Sequence, residues 1–274
     1  MRYELSEILD IGEQKGFAIP AFNVYTLENV LGVMNAAQET GSPVIFQMYS
    51  RLFGTQVGKF LAPAILEAIH TLKTPAAFHI DHGTGEDVVV RAIQFGATGA
   101  MIDASTLPMD ENIAKTKRVV EIATAAGVGV EGEIGHIGST ADEISGEYTT
   151  VSDAVTYVNE TGVKALAIMV GTAHGHYKQT PKLAIDRIAE IHAATDAHLV
   201  LHGGSGVPDD QIRMAIDAGI RKINFATDLA HAFIDGCREL DAKQYPLDVY
   251  LAHPTQRVKE FAISKINLCG SDKY

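Results

Sequence analysis

Several features that would mark a secreted or membrane protein are scarce in this sequence. Only two cysteines occur among 274 residues, Cys237 and Cys269, and they form no CxxC pair. A disulfide framework is therefore not expected, and a reducing compartment fits best. The amino-terminal stretch MRYELSEILD carries acidic residues where a signal peptide needs a basic start and an apolar run. No apolar run approaches the length that spans a membrane. Together these absences predict a cytoplasmic protein.

Positive charge is also scarce. The chain has 22 lysines and arginines against 34 aspartates and glutamates, a formal net charge of −12, and no Lys/Arg-rich run. Neither nucleic acid nor a membrane is therefore expected as a partner. A small anionic metabolite remains compatible with this charge, because a local pocket of backbone amides or cations overrides the global field.

The remaining composition, 46% hydrophobic and 20% charged residues, is typical of a globular protein. Short apolar, β-branched runs alternate with stretches in which apolar residues return every three or four positions. The runs cover residues 16–24, 43–48, 76–80, 99–103, 127–134, 165–171, 198–203 and 222–227. Eight strands alternating with helices predict an α/β fold, the (β/α)8 TIM barrel. We expect one barrel domain over residues 1–274 with a carboxyl-terminal helical tail. An open dinucleotide-binding sheet is disfavoured because no GxGxxG follows the first strand.

Histidines follow three of the predicted strands, where a barrel gathers its strand-to-helix loops. They are His82, His174 and His202. Their spacing matches no short metal motif, but barrel closure would bring all three to one end of the molecule. Three imidazoles with open coordination positions are typical of a catalytic Zn²⁺ site. Taken alone, each histidine is more simply a polar residue at a strand end.

Asp81 stands beside His82, and two interpretations remain open for it. It can exchange a proton with a substrate hydroxyl across the pocket. Alternatively, it can cap the helix that begins near Glu86 or Asp87, although five residues is far for a cap. A metal-ligand role is not expected, because adjacent side chains diverge in an extended segment.

Two loops after the last strands, HGGSG at 202–206 and NFATD at 224–228, are candidate anion sites. Consecutive glycines let backbone N–H groups approach a phosphate, and the N-terminus of the following helix favours negative charge. Barrels often hold phosphate after strands seven and eight. A plain tight turn is the alternative.

A series of short motifs runs in order over nearly the whole chain. They are AFNV (21–24), HIDHG (79–83), MIDAS (101–105), VEGEIG (130–135), GTAHGHYK (171–178), LHGGSG (201–206), KINFATD (222–228) and KINLCGS (265–271). In these motifs the chain resembles the class II, zinc-dependent ketose-bisphosphate aldolases, a family that includes fructose- and tagatose-bisphosphate aldolases. The resemblance implies a barrel enzyme that reversibly cleaves a ketose phosphate or bisphosphate into dihydroxyacetone phosphate and an aldehyde. It also implies Zn²⁺, a monovalent cation (Na⁺ or K⁺) near the substrate phosphate, and a homodimer or homotetramer.

The resemblance assigns a role to each candidate by its motif. His82, His174 and His202 would be the Zn²⁺ ligands, and Asp81 would be the acid/base on the hydroxyl next to the scissile bond. The dihydroxyacetone-phosphate half would be held by Gly175, Gly203, Gly204, Ser205, Asn224, Phe225, Ala226 and Thr227. Asp103 and Glu133, at the ends of strands four and five, are further candidate site residues.

Two segments depart from the family pattern. The loop after strand five usually carries a glutamate that moves a proton of the substrate. Aligned by eye, Ala141 stands there, with Asp142 and Glu143 just behind it as candidate replacements. After strand two the chain reads QMYSRLFG in place of a small loop with Ser or Thr. Arg51 in this segment is a candidate partner for an anionic group at the far end of the substrate, although a lone surface arginine is the simpler explanation.

Alternatives to a bisphosphate aldolase remain open at this point. A metal-dependent hydrolase on the same barrel would normally use paired histidines from strand one, and PAFNVYT contains no HxH. A non-catalytic sugar-phosphate-binding protein would explain Ala141 but would not need Asp81 together with three histidines. An aldolase for a ketose 1-phosphate with a non-phosphate C6 group is the third alternative. The sequence is compatible with either configuration at C4 of the substrate, that of fructose or that of tagatose.

Overall fold

The eight predicted strands form a closed parallel barrel in the computed structural model, which describes residues 1–138, 148–173, 175, 177, 180–241, 243 and 245–274. The strands are β1 (Ile19–Asn23), β2 (Val44–Tyr49), β3 (Ala76–Gly83), β4 (Gly99–Ile102), β5 (Gly129–Ile134), β6 (Ala165–Ile168), β7 (His198–Leu201) and β8 (Ile220–Phe225). They are hydrogen-bonded in chain order, and β8 closes on β1. The predicted (β/α)8 barrel is therefore confirmed.

Helices surround this barrel, and the first of them packs against its inner core. They are α1 (Leu5–Lys15), α2 (Leu27–Thr40), α3 (Gln56–Thr71), α4 (Glu86–Gln94), α5 (Met109–Ala125), α6 (Val151–Thr161), α7 (Ile185–Ala194), α8 (Asp209–Asp217), α9 (Thr227–Arg238) and α10 (Leu247–Cys269). Short 3-10 turns occupy Ser50–Leu52 and Ser271–Lys273, and α10 packs along α2 and α9. Within the described residues, none of these helices combines the length and apolar character that crossing a bilayer requires.

Each strand is buried on both faces, because parallel barrel strands pack against helices outside and against one another inside. Alternate residues therefore enter two different cores. Phe22, Phe46 and Phe78 share one level of the sheet and belong to the core under the helices. Their neighbours belong to the inner core together with side chains of α1. These inner residues include Ala21, Ile45, Ala77, Ala165, Ala167 and Val200, with Leu5, Ile8 and Leu9 of α1. The amino-terminal half of the barrel is thus an apolar plug.

Nearer the carboxyl ends of the strands, the inward positions become polar. Asn23, Gln47 and His79 lie at one level of β1, β2 and β3, and Tyr49 pairs with Asp81 one step higher. Because residues two apart share a face of a strand, these side chains continue the inward face defined by the apolar plug. The polar half of the barrel interior is therefore the place where the strands bring functional groups together.

The sequence predicts that the third strand ends at Ile80, and this boundary is wrong. β3 continues to Gly83 through a register shift relative to β4 between Ile80 and Gly83. His82 takes the left-handed backbone conformation, with φ of 50°, and Gly83 resumes pairing opposite Ile102. The bulge lets two polar residues remain within a paired strand.

Candidate active site at the carboxyl end of the barrel

Asp81, on β3, is held by amide side chains of β1 and β8. Its Oδ2 accepts a hydrogen bond from Asn23 Nδ2 at 2.7 Å, and its Oδ1 accepts one from Asn224 Nδ2 at 3.2 Å. The helix-cap interpretation is wrong, because the cap of α4 is Gly85 and has no side-chain hydrogen bond. The Asp81 carboxylate is therefore an anchored group of the barrel interior, 4% exposed.

A buried ionic network lies beneath Asp81. The Lys222 ammonium is 2.8 Å from Glu131 Oε2 and donates to Asn224 Oδ1 at 2.7 Å, and His79 Nε2 is 3.3 Å from Glu131 Oε2. Burial alone would raise the pKa of Glu131, but the Lys222 ammonium and the adjacent imidazoles hold it well below its ordinary value. Lys222 thus links Glu131 to the amide that holds Asp81.

His82 and His202 are both oriented by carboxylates. Asp103 Oδ2 lies 2.9 Å from His82 Nδ1, and Glu131 Oε1 lies 2.7 Å from His202 Nε2. The two rings meet edge to face with centroids 4.9 Å apart. A carboxylate on one ring nitrogen is typical of histidines that ligate a metal through the other nitrogen.

The second ring nitrogens face further carboxylates in the barrel interior. His82 Nε2 is 4.0 Å from Asp81 Oδ1, and His202 Nδ1 is 3.7 Å from Glu133 Oε2. The bulge at His82 explains the first distance, because the left-handed backbone turns this side chain towards its neighbour. The expectation that the two adjacent side chains diverge is therefore wrong.

Two overlapping groups of residues could each hold a metal ion, because within each group the potential ligand atoms all lie within 4.8 Å of one another. One set is Asp81, His82 and His202, and the other is His82, Asp103 and Glu133. Imidazole nitrogens with carboxylate oxygens are a donor set that Zn²⁺ accepts. The residues present therefore fit a metal ion. His174, the third predicted ligand, lies outside the described residues.

Electrostatic interactions in this cluster shift several pKa values of the metal-free protein. Burial lowers the pKa of His82, but the carboxylates of Asp81 and Asp103 outweigh it and raise the pKa to about 9. Burial, reinforced by Asp103, raises the pKa of Glu133 to about 8. Burial would also raise the pKa of Asp81, yet the imidazoles of His82 and His202 and the Lys222 ammonium keep it below its ordinary value. The metal-free cluster therefore combines an ionised aspartate with a protonated His82 imidazole.

Asp103 and Glu133 also have fixed partners of their own. Asp103 Oδ1 accepts from the Ser105 hydroxyl at 2.8 Å and from the Ser105 N–H at 3.1 Å. Glu133 Oε1 accepts from the Ile137 N–H at 3.1 Å. Of the two, Asp103 is the one that orients His82, and Glu133 faces His202.

A small cavity at the ends of β7 and β8 gathers most of the predicted phosphate-binding residues. Its lining consists of Asn23, Asp81, Gly175, Gly203, Ser205, Asn224, Ala226 and Thr227. The first turn of α9 begins here, and its cap, Ala226, has no side-chain hydrogen bond to offer. A helix N-terminus without a side-chain cap presents N–H groups that an anion can accept.

Gly203 is required by the close approach of two loops. Its φ is 65°, and a Cβ atom there would lie 2.3 Å from the Ala173 carbonyl oxygen. Gly204 and Phe225 do not line the cavity. Gly204 faces Ile223, and the Phe225 ring stacks on Phe22 at 5.9 Å in the outer core. Only backbone groups of Phe225 can therefore serve a ligand in this cavity.

Arg51 lies in the 3-10 turn after β2 and is not among the residues that line this cavity. Its guanidinium lies over the Tyr49 ring, 4.6 Å from the ring centroid, and the Tyr49 ring is 5.8 Å from the His82 ring. Ala141, Asp142 and Glu143 lie outside the described residues.

Sequence reasoning missed much of the supporting network. Asn23, Gln47, His79, Glu131 and Lys222 were not among the predicted site residues, although each is fully buried in the barrel. The available signal was a polar residue at every second position of an apolar strand, as in PAFN and VIFQMY. That period marks the inward face of a strand.

The barrel, with a candidate metal centre and a candidate anion cavity at its carboxyl end, has the organisation of an α/β-barrel enzyme. A sequence model of the family described as fructose-bisphosphate aldolase class-II matches residues 3–273. The sulfofructosephosphate aldolase of Alkalicoccus urumqiensis is 36% identical over 265 residues, which cover 94% of this chain and 92% of that protein.

Solved structures agree with this match. The YdjI aldolase from Escherichia coli K12 superposes with a TM-score of 0.91 at 32% identity, covering 99% of this chain and 98% of that one. A putative fructose-1,6-bisphosphate aldolase from Coccidioides immitis gives a TM-score of 0.91 at 25% identity, with coverages of 98% and 96%. The chain belongs to the class II fructose-bisphosphate aldolase family. It is an aldolase, a lyase of a family that is typically metal-dependent.

Proposed function

We propose that this protein catalyses zinc-dependent, reversible aldol cleavage of a ketose phosphate into dihydroxyacetone phosphate and an aldehyde. The observation that carries the proposal is the position of Asp81. Its carboxylate lines the anion cavity and lies 4.0 Å from His82 Nε2, beside the candidate metal centre. Cleaving a carbon–carbon bond next to a ketone requires a proton acceptor placed between these two features.

His82 and His202 would hold Zn²⁺, with His174 as a third ligand by its motif. When bound, the ion supplies a Lewis acid for the ketone oxygen and the adjacent hydroxyl of the substrate. Asp103 and Glu131 accept from the outer ring nitrogens and thereby determine which nitrogen of each imidazole faces the centre.

Asp81 acts as the acid/base. In the cleavage direction its carboxylate accepts the proton of the C4 hydroxyl, and the C3–C4 bond breaks as the aldehyde carbonyl forms. The bonding electrons pass to the dihydroxyacetone-phosphate half as an enediolate, whose carbon must then gain a proton to give dihydroxyacetone phosphate. By the family pattern this proton comes from the loop after β5, where Asp142 and Glu143 are the candidate donors. In condensation, the protonated Asp81 returns the proton to the aldehyde oxygen. Asn23 and Asn224 stabilise the ionised form because each donates a hydrogen bond to one carboxylate oxygen.

The substrate phosphate binds in the cavity at β7 and β8. Backbone N–H groups of the Gly203–Ser205 segment and of the first turn of α9 supply donors, with Thr227 at the start of that helix. The helix N-terminus adds a favourable dipole. This local arrangement offsets the negative net charge of the protein. By the family resemblance, Na⁺ or K⁺ accompanies the phosphate.

The test is a coupled assay for dihydroxyacetone phosphate release from a panel of ketose phosphates, each with and without a chelator. A sulfo-substituted fructose phosphate belongs in the panel because of the relative from Alkalicoccus urumqiensis. We expect chelator-sensitive release. Asp81→Asn should lower kcat by about 10²–10⁴-fold, the usual size of acid/base catalysis, with zinc content unchanged. Zinc-loaded protein that cleaves no member of the panel, in either C4 configuration, would refute the proposal.

We also propose that the protein forms a homodimer or homotetramer. Exposed apolar side chains support this, since Leu27, Val57 and Phe60 of α2 and α3 are 53%, 51% and 74% exposed. Light scattering coupled to size-exclusion chromatography decides the question, and a monomer at micromolar concentration would contradict the proposal.

A further inference from the structure

Tyr49 and Arg51 form a cationic and aromatic cluster next to Asp81. Tyr49 pairs with Asp81 in the register of β2 and β3, so both side chains point to the same face of the barrel. The Arg51 guanidinium lies over the Tyr49 ring at 4.6 Å from its centroid. Stacking on an aromatic face orients a guanidinium without using its N–H donors. Arg51 is therefore placed near the acid/base group with its donors directed away from the ring.

Tyr25 lies in the loop after β1, the strand that pairs with β2. Its backbone N–H donates to Asn29 Oδ1 at 3.2 Å, which anchors the residue at the start of α2. Burial first, and the Asp81 carboxylate second, raise the pKa of the Tyr25 hydroxyl to about 12, while Arg51 opposes the shift.

Arg51 differs from most arginines of this chain in having no ion pair with any carboxylate that the structure describes. Five other arginines pair with a carboxylate, namely Arg118, Arg187, Arg221, Arg238 and Arg257. The Arg51 guanidinium is oriented by the Tyr49 ring and not by a carboxylate, although the chain has a net charge of −12. Its N–H donors are therefore available to bind an anion of the substrate.

We infer that Arg51, oriented by Tyr49, binds a singly charged oxyanion at the end of the substrate remote from the phosphate. This inference rests on the proposed function. Asp81 lines the phosphate cavity and is also the register partner of Tyr49, so it adjoins both features, as the C4 hydroxyl lies between the C1 phosphate and the C6 end of a ketose phosphate. A sulfonate and a carboxylate share the required chemistry.

The charge of the cluster itself matches a single negative charge. Arg51 is the cation that stacks on Tyr49, and Asp81 repels additional negative charge. An adjoining groove of about 460 Å³ begins at Tyr25 and continues along Val57 and Phe60, and no charged side chain is among its lining residues. A terminal phosphate carries nearly two negative charges, and the single guanidinium of Arg51 would neutralise only one of them. A sulfonate or a carboxylate carries one negative charge, which the Arg51 guanidinium neutralises.

The first experiment compares kcat/KM for ketose 1-phosphates that carry sulfonate, carboxylate, phosphate or hydroxyl at C6. Wild type should prefer one of the two monoanions. Arg51→Gln should lower kcat/KM for the preferred monoanion by about 10- to 100-fold, the loss expected for hydrogen bonds to a charged group, and should leave the C6-hydroxyl substrate unchanged. Arg51→Lys should be intermediate, because an ammonium lacks the planar donor pair. The sulfonate and carboxylate arms identify which oxyanion is bound.

Arg91→Gln is the matched control. The Arg91 guanidinium approaches the same loop, with Nη1 3.6 Å from where a Cβ atom on Gly54 would lie, but it is not part of the cluster. It should leave kcat/KM unchanged for every substrate. A uniform loss for all four substrates in Arg51→Gln would mean that Arg51 only supports the fold around Tyr49. Equal activity of Arg51→Gln and wild type on the monoanions would also overturn the inference.

A binding measurement separates this inference from the proposed function. 2,3-Dihydroxypropanesulfonate and glycerate carry the terminal oxyanion without a reacting bond, and glycerol is the neutral control. Calorimetric titration of wild type should show binding of at least one anion, with loss of about 10-fold or more in affinity in Arg51→Gln. If binding depends on Arg51 but the protein cleaves no substrate, the aldolase proposal is refuted and the oxyanion site at Arg51 is retained. If binding does not depend on Arg51, the oxyanion site is refuted whatever the activity.

Discussion

Replacing Lys222 by methionine tests whether the buried network supports the site. The ammonium is fully buried, 2.8 Å from Glu131 Oε2 and 2.7 Å from Asn224 Oδ1. Methionine preserves much of the apolar stem but removes the charge and both interactions. Glu131 would keep only its imidazole partners, and Asn224 would lose a donor while still holding Asp81. The variant therefore leaves a buried carboxylate without its cation.

The size of the effect follows from the geometry. Removing one partner of a buried ion pair costs about 3–5 kcal/mol, because the other charge remains desolvated. The loss at Asn224 is about 1–3 kcal/mol for an unsatisfied acceptor, but it shares the same ammonium and does not add in full. We expect Lys222→Met to lower the free energy of unfolding by about 3–5 kcal/mol. Adding Glu131→Gln should recover part of this loss, since no unpaired charge then remains.

Urea unfolding of the chelator-treated protein, followed by far-UV circular dichroism, measures both variants. Fluorescence is less suitable because the chain has no tryptophan. Lys164→Met is the matched control, because this exposed lysine has no ion pair among the described residues and should change stability by less than about 0.5 kcal/mol. A Lys222→Met protein within about 1 kcal/mol of wild type would refute the network argument. So would a double variant that is less stable than the single one.

Three further outcomes are expected. Gly203→Ala should raise KM for phosphate-bearing substrates and lower stability, because φ is 65° and a Cβ atom would lie 2.3 Å from the Ala173 carbonyl; unchanged kinetics would contradict this. Partial burial acts to raise the pKa of Glu13, but His192 and Arg221 outweigh it and lower this pKa. The ionised Glu13 therefore adds to the free energy of unfolding above its unfolded-state pKa, and this stabilisation is lost as pH falls through the folded-state pKa. Glu13→Gln should therefore reduce stability at pH 7 by less than about 1 kcal/mol, with the difference vanishing in urea titrations at acidic pH. Of the two thiols, Cys269 is 1% exposed and should react with a thiol reagent only after unfolding, whereas the partly exposed Cys237 should react in the native protein; equal rates would be inconsistent with the fold.

Much of the architecture was accessible from pattern alone. Apolar runs separated by amphipathic stretches predicted eight parallel strands, and all eight are present in the closed barrel. The strand-end positions also predicted where polar groups gather, and Asp81, His82 and His202 do lie together. Such predictions succeed because a strand end in a parallel barrel has a known direction, so residues far apart in sequence are assigned to one end of the molecule.

The prediction failed where local geometry departs from the regular strand. Asp81 and His82 would point apart in an extended segment, but the bulge and the left-handed His82 bring their side chains to 4.0 Å. The binding role of Phe225 stays a prediction, and the structure places its ring in the outer core against Phe22. A motif assigns a segment to a site, whereas the pleat of the strand decides which of its side chains enter the pocket.

The sequence by itself determined the alternation of apolar and polar positions, the number of strands and the identity of the chemical groups at their ends, because these depend on neighbours a few residues away. Only the tertiary structure decided which group orients which. Asn224 holds Asp81 across 143 residues, and Glu131 holds His202 across 71. Those contacts arise from the closing of β8 on β1 and from the register of the strands around the barrel. Long-range contacts of this kind leave no local periodicity, so the same residues that read as isolated polar positions along the chain become one connected network in the folded protein.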